Sequence, residues 1–163
     1  MQRPCIKSIT KYINMGKVTN QKTIKSDFFT LEEFTRSSTA KRLKIDNTPS
    51  DEVVRNIQYG VQMVLDPLRR ILQAPIIITS GYRCPSLNKA VGGVANSWHT
   101  KGNAADLRIK DEEEAKAIFQ ILKTLPSVDT VLFEHSATSI WMHVQWDMTK
   151  TPRHHFNFNY QAK

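Results

Sequence analysis

The segment Ser97-Trp98-His99-Thr100-Lys101-Gly102-Asn103-Ala104-Ala105-Asp106 is the most informative part of this 163-residue chain. It reads S-x-H-x-x-G-x-A-x-D, with a histidine and an aspartate on either side of Gly102. Glycine and small side chains let the backbone fold closely, so His99 in a loop and Asp106 in a strand can face one point. A second histidine, His143, lies in the run Trp141-Met142-His143-Val144. A lone strand histidine is more often a hydrogen-bonded core residue than a ligand, so the interpretation depends on the surrounding pattern.

Hydrophobic patterns on both sides of this segment predict a mixture of helices and strands. They give helices at 30–36, 51–73 and 111–125, and strands at 75–80, 104–109, 128–134 and 140–146. Thr30 with Glu33 fits a capping box, Ser50 can cap the second helix, and Pro67 predicts a kink or break near Asp66. The last two strands form an antiparallel hairpin. We therefore expect one α+β domain, with helices packed on a small antiparallel sheet.

The chain divides by composition into three parts. Residues 1–26 form a basic arm, in which three spaced isoleucines allow a short helix, residues 27–150 form the domain, and residues 151–163 form a basic tail. No element is predicted within 147–163. Residues 82–98, rich in Pro, Gly, Asn and Ser, are expected to form a long loop, and such a loop within a compact domain is usually functional.

The composition favours some classes of partner and excludes others. Lys and Arg number 23 against 15 Asp and Glu, for a formal charge of +8, which favours an anionic partner. The hypothesis of a nucleic-acid-binding protein would depend on this charge and the basic arm alone. Because the arm lacks dense Arg/Lys clustering, no nucleic-acid partner is predicted. No apolar run approaches the ~18–20 residues of a membrane span. The two cysteines cannot form a multi-bridge disulfide framework.

Further motifs give the chain a resemblance to a known family. Ser80-Gly81-Tyr82-Arg83-Cys84-Pro85-Ser86-Leu87-Asn88 is followed by Gly92-Gly93, and residues 141–144 read W-x-H-V. Together with S-x-H-x-x-G-x-A-x-D, these motifs resemble the zinc D-Ala-D-Ala peptidases of the M15 type. That family includes bacterial carboxypeptidases and phage endolysins, and it shares its core with the Hedgehog signalling domain. The resemblance covers about residues 27–147 and implies a Hedgehog/D-Ala-D-Ala-peptidase-like fold.

The resemblance also implies one zinc ion, held by His99, Asp106 and His143. Catalytic zinc sites commonly use three protein ligands and keep a fourth position open. Many family members place a Glu or Asp three residues before the second zinc histidine, where this chain has Ile140. Other branches carry a Glu at the end of the preceding strand, and Glu134 stands there. Glu134 is therefore the predicted general base, with a solvated turn carboxylate as the alternative.

Five other side chains are candidates at the site. In the family, the arginine of S-G-Y-R lies near the metal and contacts a substrate carbonyl or carboxylate, which predicts this role for Arg83 rather than bracing of the loop. Ser97 resembles a residue that contacts substrate or supports the site, although a loop cap explains it equally well. Trp141, with Trp98, is a candidate wall of the groove, and packing explains the two indoles equally well. His135 is a secondary candidate for stabilising the transition state.

Two functions of different classes follow from these residues. The first is a monomeric zinc metallopeptidase that hydrolyses a D-amino-acid-containing bond of bacterial peptidoglycan, as a carboxypeptidase or as an endolysin-type endopeptidase. The choice between these modes depends on whether the groove is closed at one end. The second is a non-catalytic, zinc-containing cell-wall-binding module on the same scaffold. The N-terminus lacks the apolar stretch of a Sec signal peptide, which predicts cytoplasmic synthesis, with phage-lysin-like release or action in the cytoplasm.

Overall fold

The computed structural model of the protein describes residues 22–159, so the short helix predicted from the arm isoleucines lies outside the described residues. Its helices are α1 (Leu31–Thr35), α2 (Ser38–Leu43), α3 (Asp51–Gly60), α4 (Asp66–Leu72), α5 (Pro85–Ala90) and α6 (Glu112–Thr124). Its strands are β1 (Ile78–Ser80), β2 (Ala104–Arg108), β3 (Thr130–His135), β4 (Ile140–Gln145) and β5 (His155–Asn157). The predicted α+β class, with one small sheet and helices packed on it, is confirmed.

The sheet has the strand order β1-β2-β4-β3-β5. Every neighbouring pair is antiparallel except β3 and β5, which run parallel. The register places His143 of β4 between Asp106 of β2 and Leu132 of β3. Because side chains alternate along a strand, residues at every second position share a face. The predicted hairpin of β3 and β4 is confirmed, and its register decides which side chains meet.

One face of the sheet packs on helices and the other carries polar side chains. The apolar face contributes buried residues of the three central strands: Ala105, Leu107, Val131, Phe133, Met142 and Val144. These belong to one core with buried residues of α3, α4, α6 and the turn between α3 and α4: Ile57, Val61, Leu65, Leu68, Ile118 and Leu122. The opposite face holds Asp106, Glu134 and His143. The helices therefore cover only the apolar face, and the polar side chains of the other face can form a site.

The predicted helix over 51–73 runs almost its whole length, but Pro67 does not break it. Ser50 caps the helix as predicted, since its hydroxyl accepts a hydrogen bond from the Val53 N–H at 3.3 Å. A π-helical turn over Val61–Leu65 joins α3 to α4, and the Asp66 N–H donates to the carbonyl of Val61, five residues back. A proline removes one helical donor and crowds the carbonyl four residues before it. The π-helical turn directly before Pro67 interrupts the regular α-helical pattern without ending the helix, so the predicted break is wrong.

Three short elements were not predicted. α2 lies in a segment that looked only polar and basic, since Ala40 is its single buried residue. α5 occupies the middle of the expected loop at 82–98, because Pro85 begins a helix there instead of interrupting structure. β5 lies in the tail, where no element was expected. The strand predicted at 75–80 is shorter than expected, since only Ile78–Ser80 pair with β2.

The last residues of the arm pack against the domain. Lys22 forms an ion pair with Asp51 at 2.8 Å, and the Ser26 hydroxyl donates to Asp66 at 2.6 Å. These contacts tie residues 22–26 to α3 and α4. Within residues 22–159, no helix has the length and apolar character that crossing a bilayer requires.

Candidate metal centre

The three side chains singled out by the sequence meet on the polar face of the sheet. The β2–β4 register sets Asp106 directly opposite His143, whose Nδ1 lies 2.7 Å from Asp106 Oδ1. His99 lies on a 3₁₀ turn, Trp98–Lys101, that ends at Gly102 with φ +73°. Glycine adopts this left-handed conformation without strain, and the chain turns there into β2. His99 Nε2 thereby comes within 3.3 Å of Asp106 Oδ1.

The ring of His99 is fixed by a backbone contact. Its Nδ1 lies 2.6 Å from the carbonyl oxygen of Gly81, an acceptor, so Nδ1 carries the proton and donates. The ring is 2% exposed, which leaves it little freedom to turn. Nε2 is the ring nitrogen that faces Asp106. Such a carbonyl contact on the far ring nitrogen is typical of metal-binding histidines.

The ring of His143 also has a partner on its far side. Its Nε2 lies 2.8 Å from the side-chain nitrogen of Gln145, and Gln145 Oε1 accepts from Arg153 at 3.2 Å. Arg153 is held in turn by Asp129, which accepts at 2.6 Å from Nη2 and at 3.0 Å from Nε. Sequence reasoning missed this chain of contacts. Strand alternation puts Gln145 on the face of His143 and could have revealed it, whereas nothing in the pattern pointed to Arg153.

The electrostatics favour an ionised aspartate at the centre. Burial by itself would raise the pKa of Asp106, but its contacts with the His99 and His143 imidazoles outweigh burial and hold this pKa well below its usual range. The carboxylate is therefore available as an anionic ligand.

The donor set fits a metal ion. One nitrogen from each of His99 and His143 and one oxygen of Asp106 all lie within 4.8 Å of one another. Two neutral imidazoles and one carboxylate match the ligand types of a catalytic zinc site that retains an open position. Because Nδ1 of His99 is engaged by the Gly81 carbonyl, Nε2 is the atom of this ring that remains for an ion. These residues are able to hold one ion together.

Glu134 lies on the same face as the three donors. It is paired across the hairpin with Trp141, two positions before His143, and its carboxylate accepts a hydrogen bond from the Trp141 indole N–H. Burial raises the pKa of Glu134, and the nearby Asp106 charge adds to this, while His143 and the indole contact oppose it. His135, the next residue, points to the opposite face and is exposed. The structure therefore brings Glu134, and not His135, to the donors.

Arg83 lines a cavity beside Asp106. Its backbone N–H donates to the His99 carbonyl at 3.2 Å, which links the S-G-Y-R segment to the 3₁₀ turn. The guanidinium is half-buried, and its buried Nε has no hydrogen-bond partner among residues 22–159. Burial lowers the pKa of Arg83, opposed by the charges of Asp106 and Glu134. Arg83 keeps a donor free to bind a further oxygen atom.

The remaining predicted residues take different positions. Ser97 is buried, and its hydroxyl accepts from the backbone N–H of His99 at 3.3 Å, so in the structure it acts as a cap of the 3₁₀ turn. Trp141 lines a cavity that also includes Asp106. Trp98 instead lines a separate cavity with Lys101 and Lys150, whose ammonium groups lie 5.1 and 5.5 Å from its ring.

Comparison with known proteins gives one family match. A family model described as Peptidase M15 matches residues 27–145, a range that contains the three donors together with Arg83 and Glu134. No curated protein matches the chain.

Proposed function

The chain belongs to the peptidase M15 family, and on this premise we propose that it is a zinc-dependent hydrolase of a D-amino-acid-containing peptide bond in bacterial peptidoglycan. The observation that carries the proposal is the convergence of His99, Asp106 and His143 on one point beside an open cavity. The catalytic unit spans residues 27–150, and residues 1–26 and 151–163 flank it.

Each donor residue has a distinct part in holding the ion. His99 offers Nε2, Asp106 a carboxylate oxygen and His143 Nδ1, and each of the two histidine rings is oriented by a contact on its other side. A zinc ion bound there would supply Lewis acidity, lowering the pKa of a water molecule and polarising the scissile carbonyl. Because one carboxylate does not neutralise a divalent cation, the site keeps a positive charge that favours a developing oxyanion.

Glu134 is the proposed general base. A carboxylate with a raised pKa is suited to accept the proton of the attacking water and to return it to the leaving amine. The indole of Trp141 donates to this carboxylate and orients it. Glu134 thereby takes the part of the acid that many family members carry at the position of Ile140.

Arg83 and the groove residues are proposed to position the substrate. The free guanidinium N–H groups of Arg83 suit a carbonyl or carboxylate oxygen of the peptide. Trp141 walls one side of the groove, and Ser97 holds the turn that carries His99. The charge of +8 favours attraction to the anionic bacterial envelope, an effect that salt screens. We propose a monomer without a nucleic-acid partner, made in the cytoplasm and acting on the wall after release, or else in the cytoplasm.

One observation favours a second function. Ile140 stands where many members have the catalytic acid, so a non-catalytic, zinc-containing wall-binding module is the alternative. The two functions differ in whether Glu134 moves a proton.

Mass spectrometry of purified muropeptides after incubation with the zinc-loaded protein tests the proposal. We expect two products whose masses add up to that of the parent plus one water, and their formation should be lost after chelation and recovered when zinc is restored. His143→Ala serves as the control without a complete donor set. Stoichiometric zinc binding with no cleavage of any muropeptide would instead establish the alternative.

A further inference from the structure

Trp98 lines a cavity that the proposed function does not use. This cavity, called here the Trp98 cavity, has a volume of about 330 Å³, and its lining shares no residue with the two cavities that include Asp106. None of the three metal donors lines it, and neither do Arg83 and Glu134. Its volume lies at the lower end of the range of ~300–1,000 Å³ that is usual for ligand sites, which suits a ligand with a single ring.

Asn103 brings an unused hydrogen-bond acceptor to this cavity. The residue is 6% exposed, and its Oδ1 has no hydrogen-bond partner among residues 22–159. Backbone bonds fix it on both sides, since its N–H donates to the Trp98 carbonyl at 3.1 Å and its carbonyl accepts from the Trp146 N–H at 3.1 Å. A buried polar atom without a partner is costly, so a ligand that donates a hydrogen bond there is favoured. A carboxylate or a phosphodiester has no hydrogen to donate, whereas a hydroxyl group or an amide N–H has one.

Opposite charges balance in the lining of the Trp98 cavity. Lys101 and Lys150 contribute positive charges, and Glu52 and Asp147 contribute negative ones. A lining with both signs offers donors and acceptors side by side, but it has no net charge that would attract an anion. The lining therefore favours a neutral ligand that both donates and accepts hydrogen bonds.

The charged groups of this lining keep capacity for a ligand. Lys101 is exposed and forms no ion pair within residues 22–159, and the Lys150 ammonium lies 3.8 Å from Asp147, beyond hydrogen-bond distance. Asp147 Oδ1 accepts from the N–H and the hydroxyl of Thr149 at 2.9 and 2.7 Å, which leaves Oδ2 for a ligand. The two ammonium groups lie 5.1 and 5.5 Å from the centre of the Trp98 ring, and such contacts are weak at exposed sites. Both groups can therefore turn toward ligand oxygens and uncover the ring.

The indole of Trp98 adds an apolar surface beside these polar groups. Trp98 is half-buried, and the cations near its ring are attracted by the negative potential of the indole face. Arg153, 5.8 Å from the ring centre, is held by Asp129 and is not among the residues that line the cavity. The C–H groups of a pyranose ring carry a small positive charge, so the indole face attracts the face of a sugar in the same way.

We propose that the Trp98 cavity binds one pyranose ring of a neutral saccharide. The ring lies against the indole, a hydroxyl group or an acetamido N–H donates to Asn103 Oδ1, and other hydroxyl groups bond to Lys101, Lys150 and Asp147. The proposal goes beyond the proposed function, because it assigns a carbohydrate site to residues outside the metal centre and requires no cleavage. Because His99 directly follows Trp98, one 3₁₀ turn carries a residue of each site.

A nuclear magnetic resonance titration of the unaltered protein with tri-N-acetylchitotriose, a neutral saccharide, tests the site. The chain has three tryptophans, and Trp98 is the one that lines the cavity. We expect the indole N–H signal of Trp98 to shift to saturation while that of Trp141 stays in place. The affinity should change less than about twofold between low and high salt, because the ligand is uncharged. The site would be overturned by shifts at Trp141 alone, by no shift, or by tighter binding of an acidic peptide or a glycerol phosphodiester.

Substitutions test the ring and the acceptor separately. Trp98→Ala should weaken saccharide binding about tenfold or more, whereas Trp98→Phe keeps an aromatic surface and should stay within about threefold of the parent. Asn103→Leu removes the acceptor and should weaken binding about three- to tenfold. Phe28→Ala is the matched control, because Phe28 is an exposed aromatic side chain with two guanidinium groups at 5.1 and 5.5 Å and lies outside this lining. Unchanged affinity in Trp98→Ala, or an equal loss in Phe28→Ala, would contradict binding at Trp98.

Metal removal distinguishes this site from the proposed function. Since no metal donor lines the Trp98 cavity, chelated protein should bind the saccharide as tightly as zinc-loaded protein does. Saccharide binding that disappears with the zinc would place the saccharide at the metal centre and overturn the Trp98 site. Saccharide binding without cleavage of any muropeptide would overturn the proposed peptidase activity and leave the Trp98 site standing.

Discussion

His143 Nε2 lies 2.8 Å from the side-chain nitrogen of Gln145, on the opposite side of the ring from Asp106. For Nδ1 to bind a metal ion, Nε2 must carry the proton and needs an acceptor. The Gln145 amide supplies one when its oxygen turns to the ring and gives up the hydrogen bond from Arg153. We expect Gln145→Leu to weaken zinc affinity about 10- to 100-fold, measured by competition with a chromophoric chelator. Gln145→Glu keeps an acceptor and should retain most of the affinity. Equal zinc affinity in the Leu variant and the parent would contradict this role.

Glu134→Gln tests the general base without changing the metal ligands. The amide occupies the same space beside Trp141 but cannot accept a proton, so turnover should fall about 10²- to 10⁴-fold while zinc stoichiometry stays unchanged. Peptide cleavage and metal content measured on the same preparation check both parts. Glu113→Gln, an exposed change in α6, is the matched control. Normal turnover in the Glu134 variant would remove Glu134 from the mechanism.

The pH profile should report the environment of Glu134. Burial raises the pKa of this carboxyl, and a base must be ionised, so kcat/KM should decline at a higher pH on the acid side than an ordinary glutamate would give. The Trp141 indole stabilises the ionised form and opposes that rise. Trp141→Phe should therefore move the acid limb to still higher pH. If the acid limb of Trp141→Phe lies at the same pH as that of the parent, or at a lower pH, the indole does not stabilise the ionised form of Glu134.

Gly60→Ala should destabilise the protein, against the usual effect of this change in a helix. Alanine normally stabilises a helix by ~0.5–1 kcal/mol relative to glycine. At Gly60, however, an added Cβ would overlap the buried indole of Trp146, whose N–H donates to the Asn56 carbonyl at 2.9 Å. Overpacking of this kind costs about 1–3 kcal/mol, to be measured by urea unfolding. A more stable variant would show that Trp146 can move aside.

Asp129 should contribute stability that depends on pH. Burial opposes ionisation, but hydrogen bonds from Arg153 outweigh it and lower the pKa of Asp129 in the folded state. Stability from such a group is present above the unfolded pKa and is lost as pH falls through the folded pKa. Asp129→Asn should therefore cost about 1–2 kcal/mol near neutral pH, with the difference from the parent shrinking in acid.

An exposed pair provides the comparison for Asp129. Asp27 forms an ion pair with Arg70 at 2.6 Å, and both side chains are largely exposed. Asp27→Asn should change the free energy of unfolding by less than about 1 kcal/mol at any pH. If Asp27→Asn and Asp129→Asn change the free energy of unfolding equally, burial of Asp129 does not strengthen its pairing with Arg153.

The parts of the fold that could be predicted are those with long periodic patterns. The α3–α4 helix shows one apolar face, and the hairpin shows two β-branched or aromatic runs with a polar turn. α2 and β5 lack such patterns, because α2 buries Ala40 alone and β5 has three residues. Their positions depend on tertiary contacts, such as the bond from the His155 N–H to the Asp129 carbonyl at 2.9 Å, that no local window contains.

The candidate site divides in the same way. His99, Asp106 and His143 are marked by motifs whose spacing follows from local turns and from strand pairing, and they converge as expected. The position of Gln145 on the same sheet face as His143 follows from strand alternation alone. Arg153 could not be found from sequence, since its approach to Asp129 and Gln145 depends on how the chain returns after β4.

The position of β5 has a consequence for how the molecule behaves among copies of itself. β5 pairs with Thr130, Val131 and Leu132 along the outer side of β3. A chain cut directly before β5, after His154, would leave this row of backbone donors and acceptors open, and an open edge of this kind is a template for strand addition by another molecule. Such a shortened protein should self-associate or aggregate. We therefore expect β5 to protect the outer side of β3 from pairing with other molecules.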